Sequence, residues 1–223
     1  MVKSKEEAKI HFDEVAFSFV FKGVADIVPE EVLAEKLEVL GFEINRGEKI
    51  FRLPVGEVVV INFAKKGGID LLYDPRESSI GVGTKTGDID ILISHLDSLS
   101  NLLSDLEVDT PSFYRIIARG KAWYGKNVKN IIKDILEIKR ENIEEILGID
   151  VALQPMTLRL VPVERDFGEI PWIDIIIEPL VSNPRYWYIQ FIYQDSDYTK
   201  SLEMLKELKA RINNLLSYLE VVK

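Results

Sequence analysis

An eight-residue segment occurs twice in this chain, and it constrains the fold more than any other feature. Residues 101–108 read NLLSDLEV and residues 214–221 read NLLSYLEV, an offset of 113 residues. Apolar residues upstream of both copies continue in the same register, with the i, i+3, i+4, i+7 spacing of an amphipathic helix. The repeat therefore predicts two long helices in equivalent places, over about 88–106 and 198–221.

A second correspondence joins the starts of the two halves. FSFVFKG at 17–23 aligns with YRIIARG at 114–120. Both runs are rich in β-branched and aromatic residues and end in a basic residue and a glycine, which is typical of a strand. Each run is followed by a helical pattern that stops at a glycine, over 30–40 in the first half and 127–147 in the second.

Strand-like runs occupy the middle of each half. They are 49–53, 57–63, 69–73 and 79–84 in the first half, and 156–163, 172–177 and 185–193 in the second. Each half therefore consists of a strand, a helix, three or four antiparallel strands and a long helix. We predict an α+β tandem repeat, with units at 1–108 and 109–223 packed together and helices on one face of the sheet.

Two short segments carry a resemblance to a known family. Ile50–Leu53, and Val82–Gly87 leading into a long helix, resemble one half of the TATA-box-binding protein core. That family is a tandem repeat with a curved saddle sheet, so the resemblance implies a fold. It does not imply TATA binding, because the family's basic sheet with paired asparagines is not matched here. The element order also resembles the helix-grip domains of START-like lipid carriers, in which the last helix closes over a ligand cavity.

Charge and composition exclude several classes of function. Residues 1–110 contain 12 lysines and arginines against 21 aspartates and glutamates, which accounts for the whole net charge of −9. An acidic chain repels phosphate backbones, so we expect no duplex nucleic acid partner. The chain has no cysteine and two histidines, which excludes thiolate and histidine-cluster metal sites. No apolar run reaches ~20 residues, so we expect no membrane span and a cytoplasmic protein, with a composition typical of thermophiles.

Basic and aromatic side chains share one face of the strands predicted in the second half. Arginine guanidinium groups bind anions, and aromatic rings provide a flat surface on which a ligand can stack. The alternative is that Arg159 pairs with Asp174 or Glu178 on the next strand and that the other side chains are solvated. The candidate ligand-binding residues are Arg115, Arg119, Arg159, Tyr186 and Tyr188.

The run Val58–Phe63 is apolar on both strand faces and therefore needs cover on both sides. The pair of helices covers one face of this strand. The other face is covered by a ligand in a cavity, by the second half of the chain or by another copy of the chain. We therefore predict a non-enzymatic binding or carrier protein that uses its sheet face for an apolar or anionic small molecule, without a cofactor. A carrier needs an enclosed apolar space of ~300 Å³ or more beside the sheet. A structural or assembly role is a third interpretation.

Asp88 and Asp90 raise an enzymatic alternative. Their segment, Thr86–Ser94, is similar to the metal-binding strand of polymerase-β-type nucleotidyltransferases. That resemblance implies that the two carboxylates hold Mg²⁺ with a third aspartate on a later strand, here Asp174. The internal repeat instead places Asp88 at a helix start and Asp90 in the first turn, where aspartate commonly caps. A strand at this position favours metal-dependent nucleotidyl transfer, whereas a helix favours a binding protein.

Overall fold

Nine antiparallel strands form one sheet in the computed structural model of the chain. The structure describes residues 10–22, 28–53, 56–108, 110–125, 127–135, 156–166 and 168–221. The strands are β1 (Ile10–Val20), β2 (Glu43–Leu53), β3 (Gly56–Lys66), β4 (Ile69–Asp74), β5 (Ser79–Thr84), β6 (Phe113–Trp123), β7 (Leu158–Leu160), β8 (Trp172–Leu180) and β9 (Asn183–Asp195). The described helices are α1 (Glu30–Val39), α2 (Ile89–Asp105), α3 (Val128–Ile135) and α4 (Tyr198–Val221).

The strand order places the starts of the two halves at the centre of the sheet. It runs β2-β3-β4-β5-β1-β6-β9-β8-β7, and every neighbouring pair is antiparallel. β1 and β6 pair over almost their whole length, from Ile10 opposite Ala122 to Val20 opposite Phe113. The predicted α+β class is therefore confirmed, and the sheet is continuous across the predicted boundary between the units.

The two long helices predicted from the repeated segment are confirmed as α2 and α4. β1 begins earlier than predicted, because its residues from Ile10 onward pair with β6. β7 is shorter than predicted: Pro162 has no N–H to donate to a ladder, and β7 has a single neighbour, β8. The predicted helix at 127–147 is confirmed as far as α3 extends, and the rest of it lies outside the described residues.

The first residues of α2 show why a helix forms there rather than a strand. Asp88 is the N-cap, and its Oδ1 accepts hydrogen bonds from the backbone N–H of Asp90 at 3.1 Å and of Ile91 at 3.2 Å. Gly87 precedes it with a φ of +64°, and a Cβ there would lie 1.9 Å from the backbone oxygen of Phe12. Glycine at this position therefore lets the chain turn tightly against β1 before the helix begins.

The helices cover one face of the sheet and bury a single apolar cluster. On β1 that face carries Val15, Phe17 and Phe19, all at most 3% exposed. Tyr198 at the start of α4 lies on it, with its ring 6.0 Å from that of Phe17. Buried residues of all four described helices belong to the cluster, which confirms the prediction that the helices share one face. None of these helices combines the length and the apolar character needed to cross a bilayer.

Candidate functional site

The strand register brings the five predicted ligand-binding residues to the sheet face opposite the helices, which we call the open face. Arg115 and Arg119 alternate with the core residues of β6, and Tyr186 and Tyr188 alternate with those of β9. Arg159 lies on β7 opposite Ile176 of β8, which in turn lies opposite Gln190 of β9. The prediction that these residues share a face is confirmed; whether they bind a ligand remains a prediction.

Arg159 is bound by a buried carboxylate. Its Nε and Nη2 donate to the two carboxylate oxygens of Asp174, at 3.1 and 2.8 Å. The Asp174 side chain is 1% exposed, whereas that of Arg159 is 41% exposed. The hydrogen bond to Asp174 raises the pKa of Arg159 above its ordinary value, and burial opposes that rise. The pairing of Arg159 with Asp174 is therefore confirmed. The other part of that alternative, in which the remaining side chains are solvated, is wrong for Arg115 and Arg119, whose side chains are 14% and 17% exposed.

The two arginines of β6 also have carboxylate partners, and both partners come from the first half of the chain. Arg119 lies directly opposite Glu14 of β1, with Nη1 and Oε2 3.6 Å apart. Arg115 donates to Glu77 in the turn between β4 and β5, and its guanidinium lies 5.5 Å from the centroid of the Phe113 ring. All three predicted arginines therefore carry a charge that a neighbouring carboxylate balances.

Aromatic rings dominate the open face at the far end of β6. The rings of Trp123 and Tyr186 lie on adjacent strands with centroids 4.9 Å apart at an interplanar angle of 62°. Trp123 is 41% exposed. Tyr188 follows on β9, and its Oη accepts a hydrogen bond from Nε2 of Gln190 at 3.3 Å. We call Trp123, Tyr186 and Tyr188 the aromatic end of the open face.

The middle of the open face holds a second apolar layer. Its members belong to the sheet, but they lie outside the cluster that the helices cover. They are Ala16, Val20, Leu72, Ile117, Trp172 and Ile192, each at most 7% exposed. The ion pairs of Arg115 and Arg119 stand next to this layer in the register. The middle of the open face is therefore packed and its charges are balanced, whereas the aromatic end is more exposed to solvent.

The carboxylates of the enzymatic alternative are not brought together. Asp88 caps α2 and Asp90 is exposed in the first turn of that helix, whereas Asp174 lies on β8 and binds Arg159. No group of three histidine or carboxylate side chains that could hold a metal ion occurs among the described residues. The segment of Asp88 and Asp90 is a helix start, as the internal repeat predicted.

A cleft of about 560 Å³ lies away from the five predicted residues. It is formed at the turn between β3 and β4 and lined largely by charged residues and glycines, so it is not the enclosed apolar space that a carrier needs. For the run that is apolar on both faces, the described side chains are Asn62 and Phe63, which are both buried. The structure does not describe the other side chains of that run, at 58–61.

Sequence reasoning missed the partners of the β6 arginines and the residues of the cleft. Glu14 and Arg119 are 105 positions apart, and no local pattern signals that β1 and β6 are neighbours. The sequence marks Gly67 and Gly68 as a turn after Lys66, but hydrophobic periodicity does not show which loop lies beside that turn.

Comparisons of this chain with protein-family models, with curated proteins and with solved structures each gave no match. Its function therefore has to be argued from the arrangement of its own side chains.

Proposed function

We propose that this protein is a non-enzymatic binding module that uses the aromatic end of its open face to hold a small apolar or aromatic molecule. The observation that carries the proposal is the Trp123–Tyr186 pair, two touching rings on adjacent strands, of which Trp123 is 41% exposed. Edge-to-face aromatic pairs offer a further ring a stacking surface and cost little side-chain entropy when a ligand binds.

The ion pairs on the same face favour an uncharged ligand over an anion. An anion at Arg119 or Arg159 meets a guanidinium whose charge Glu14 or Asp174 already balances, and the buried Asp174 carboxylate repels it. Leaving a buried carboxylate unpaired costs several kcal/mol. The arginine–carboxylate pairs therefore stabilise the sheet beside the aromatic end, and apolar contacts supply the affinity for the ligand.

We further infer that the two halves are structural copies, in the manner of the TATA-box-binding protein core. The strand order supports this inference, because β1 pairs with β5, the last strand of its half, and β6 pairs with β9 in the same way. Each half also ends in a long helix. The inference concerns the fold alone, since an acidic chain with charge-balanced arginines does not suit a DNA backbone.

The test is a fluorescence titration with N-phenyl-1-naphthylamine, an uncharged dye whose fluorescence rises when its aromatic rings enter an apolar site. We expect saturable binding to the native protein, and an affinity about tenfold lower for Trp123→Ala and Tyr186→Ala. Tyr218→Ala is the matched control, because Tyr218 is a 66% exposed aromatic residue on α4, and we expect it to leave the affinity unchanged. Equal affinity in all four proteins, or no saturable signal, rejects the proposal.

Native mass spectrometry of the purified protein complements the titration. A co-purified small molecule that is lost in Trp123→Ala supports the proposal and gives the mass of the ligand. A second copy of the chain is the alternative occupant of the open face. A native protein that sediments as a dimer while Trp123→Ala sediments as a monomer assigns the aromatic end to self-association instead.

A further inference from the structure

The cleft at the end of the β3–β4 hairpin, described above, lies in the half of the sheet away from the aromatic end. We call it the lysine cleft. Its volume of about 560 Å³ is within the ~300–1,000 Å³ range of small-molecule sites. Lys65 and Lys66 come from the end of β3, and Lys85 comes from the loop between β5 and α2. Three lysine residues from two separate segments therefore line one space.

Two of these lysines contact a neighbouring oxygen atom. β4 pairs with β5 so that Asp70 lies opposite Gly83, and Lys85 follows two positions later. The Nζ of Lys85 lies 3.8 Å from Oδ2 of Asp70, a carboxylate whose side chain is 9% exposed. Lys66 donates from Nζ to the backbone oxygen of Leu40, just after α1. The Lys85 side chain is 66% exposed and Lys66 is also exposed, so both lysines are accessible to a ligand.

The charges of the cleft favour an anion. Three lysines face two carboxylates, Glu43 and Asp70, and the partner of Lys66 is an uncharged carbonyl. The turn residues Gly67 and Gly68 have φ of +54° and +83°, and no atom lies within 4 Å of the position that a Cβ would take on either. A ligand can therefore approach the backbone of this turn closely.

The surrounding charge restricts the size of the anion. Residues 1–110 carry the whole net charge of −9, so a long polyanion meets repulsion along its length, whereas a small anion interacts mainly with the residues of the cleft. Lysine ammonium groups are common partners of phosphate groups. A bare phosphate leaves most of about 560 Å³ unfilled, so the phosphate belongs to a larger molecule. We propose that the lysine cleft binds a small phosphorylated organic molecule through Lys65, Lys66 and Lys85.

The test is a titration of the protein with glycerol phosphate at constant ionic strength, followed by amide NMR. We expect saturable shifts at the amides of Gly67, Gly68 and Lys85. The double variant Lys66→Gln/Lys85→Gln should bind about tenfold more weakly, because it removes two positive charges near the ligand. The matched control is Lys206→Gln/Lys209→Gln, two exposed lysines on α4, which should leave the affinity unchanged.

The double variant also removes the ion pair between Lys85 and Asp70 and could unfold the protein for that reason. Lys65→Gln is therefore a second variant that tests the proposal. Lys65 is exposed and its substitution should preserve the melting temperature, while the affinity for glycerol phosphate falls about threefold. Two results overturn the proposal. In the first, sodium chloride titrated in place of glycerol phosphate produces the same amide shifts. In the second, the Lys65→Gln and α4 variants bind glycerol phosphate equally well. The test is independent of the aromatic end, since Trp123→Ala should bind glycerol phosphate as the native protein does.

Discussion

Carboxylate partners decide what each arginine on the open face can do. Asp174 is fully enclosed and accepts two hydrogen bonds from Arg159, so this pair behaves as one rigid, neutral unit. On α4, Arg211 makes the same kind of two-donor contact with Glu207, but both of those side chains are about half exposed. Asp174 accepts on both of its oxygens, whereas Glu207 accepts both hydrogen bonds on Oε2. The larger difference between the two pairs is the burial of the carboxylate.

That difference predicts different losses of stability. Arg159→Ala leaves the Asp174 carboxylate buried without its main donor, and we expect the free energy of unfolding to fall by about 2 kcal/mol. Arg211→Ala breaks an exposed helix pair and should cost at most about 0.5 kcal/mol. Urea unfolding followed by circular dichroism measures both values. Equal losses would show that burial of the carboxylate does not control the energy of the pair.

Tyr193, on the helix side of the sheet, makes the stability of the fold depend on pH in the alkaline range. Burial, and then the hydrogen bond that its Oη donates to Asp195 at 2.8 Å, raise its pKa well above the ordinary value. Burial also raises the pKa of Tyr73, Tyr114 and Tyr198. The folded state therefore keeps these phenols protonated at pH values where the unfolded chain, with an ordinary tyrosine pKa of about 10, releases the protons.

The sign of the pH dependence follows from this difference in bound protons. The stabilisation is complete below a pH of about 10 and is lost as the pH rises from there through the higher pKa values of the folded state. Tyr193→Phe should cost about 1 kcal/mol at neutral pH and should make the alkaline loss of stability less steep. Urea midpoints between neutral pH and the alkaline limit of folding measure both effects. An alkaline slope as steep in Tyr193→Phe as in the native protein would contradict this account.

At the scale of elements, periodicity predicted most helices and strands correctly. The buried leucines of α2, including Leu92, Leu96 and Leu99, follow the spacing that predicted this helix. Strand parity likewise placed Arg119 and Tyr188 on one face. Pairing between distant strands could not be predicted, because Glu14 and Glu77 meet their partners through long-range register rather than local pattern. The sequence therefore placed the five candidate residues on one face, but it did not predict the apolar layer of that face, the partners of the β6 arginines or the lysine cleft.

The cap of α2 has a measurable energy. Asp88→Ala removes the acceptor for two backbone N–H groups, and we expect the free energy of unfolding to fall by about 1 kcal/mol. Asp88→Ser retains a capping oxygen and should stay within a few tenths of a kcal/mol of the native protein. Thermal and urea unfolding of the two variants measure the difference. If both variants lose the same amount, the cap is not what stabilises the start of α2.

The same helix start predicts the response to metal. Asp88 and Asp90 lie at the beginning of α2, while Asp174 is held by Arg159. Magnesium or manganese ions at millimolar concentration should therefore leave the melting temperature unchanged in the native protein and in Asp90→Asn, since a ligand stabilises a fold only by binding it. A rise in the native protein that disappears in Asp90→Asn would favour metal-dependent nucleotidyl transfer over a binding role.

The β1–β6 seam joins the two halves of the whole molecule. Beside the ladder itself, Arg119 faces Glu14, and Lys121 donates to Asp13 at 3.1 Å. The first pair is largely buried, with side chains 17% and 15% exposed, and the second is 42% and 47% exposed. The seam therefore contains one enclosed ion pair and one exposed ion pair of the same type.

Charge reversal measures what the enclosed pair contributes. Arg119→Glu places a second carboxylate opposite Glu14, and we expect the free energy of unfolding to fall by about 2 kcal/mol. Adding Glu14→Arg restores opposite charges and should recover at least half of that loss. The corresponding exchange at Lys121 and Asp13 should change the free energy by less than about 1 kcal/mol. No recovery in the double variant would show that the charges of Arg119 and Glu14 do not stabilise the seam.

The position of the seam has a consequence for synthesis of the chain. β1 is made roughly 100 residues before β6, which at about 5–20 residues per second amounts to about 5–20 seconds of translation. During that interval β1 can pair with β5 on one side, while the edge that β6 later occupies still offers unpaired N–H and C=O groups. A ribosome that pauses between the two strands prolongs this exposure. Neighbouring nascent chains on one messenger RNA then have time to pair through β1, so the rate of translation across this interval should govern how much of the protein is recovered without aggregation.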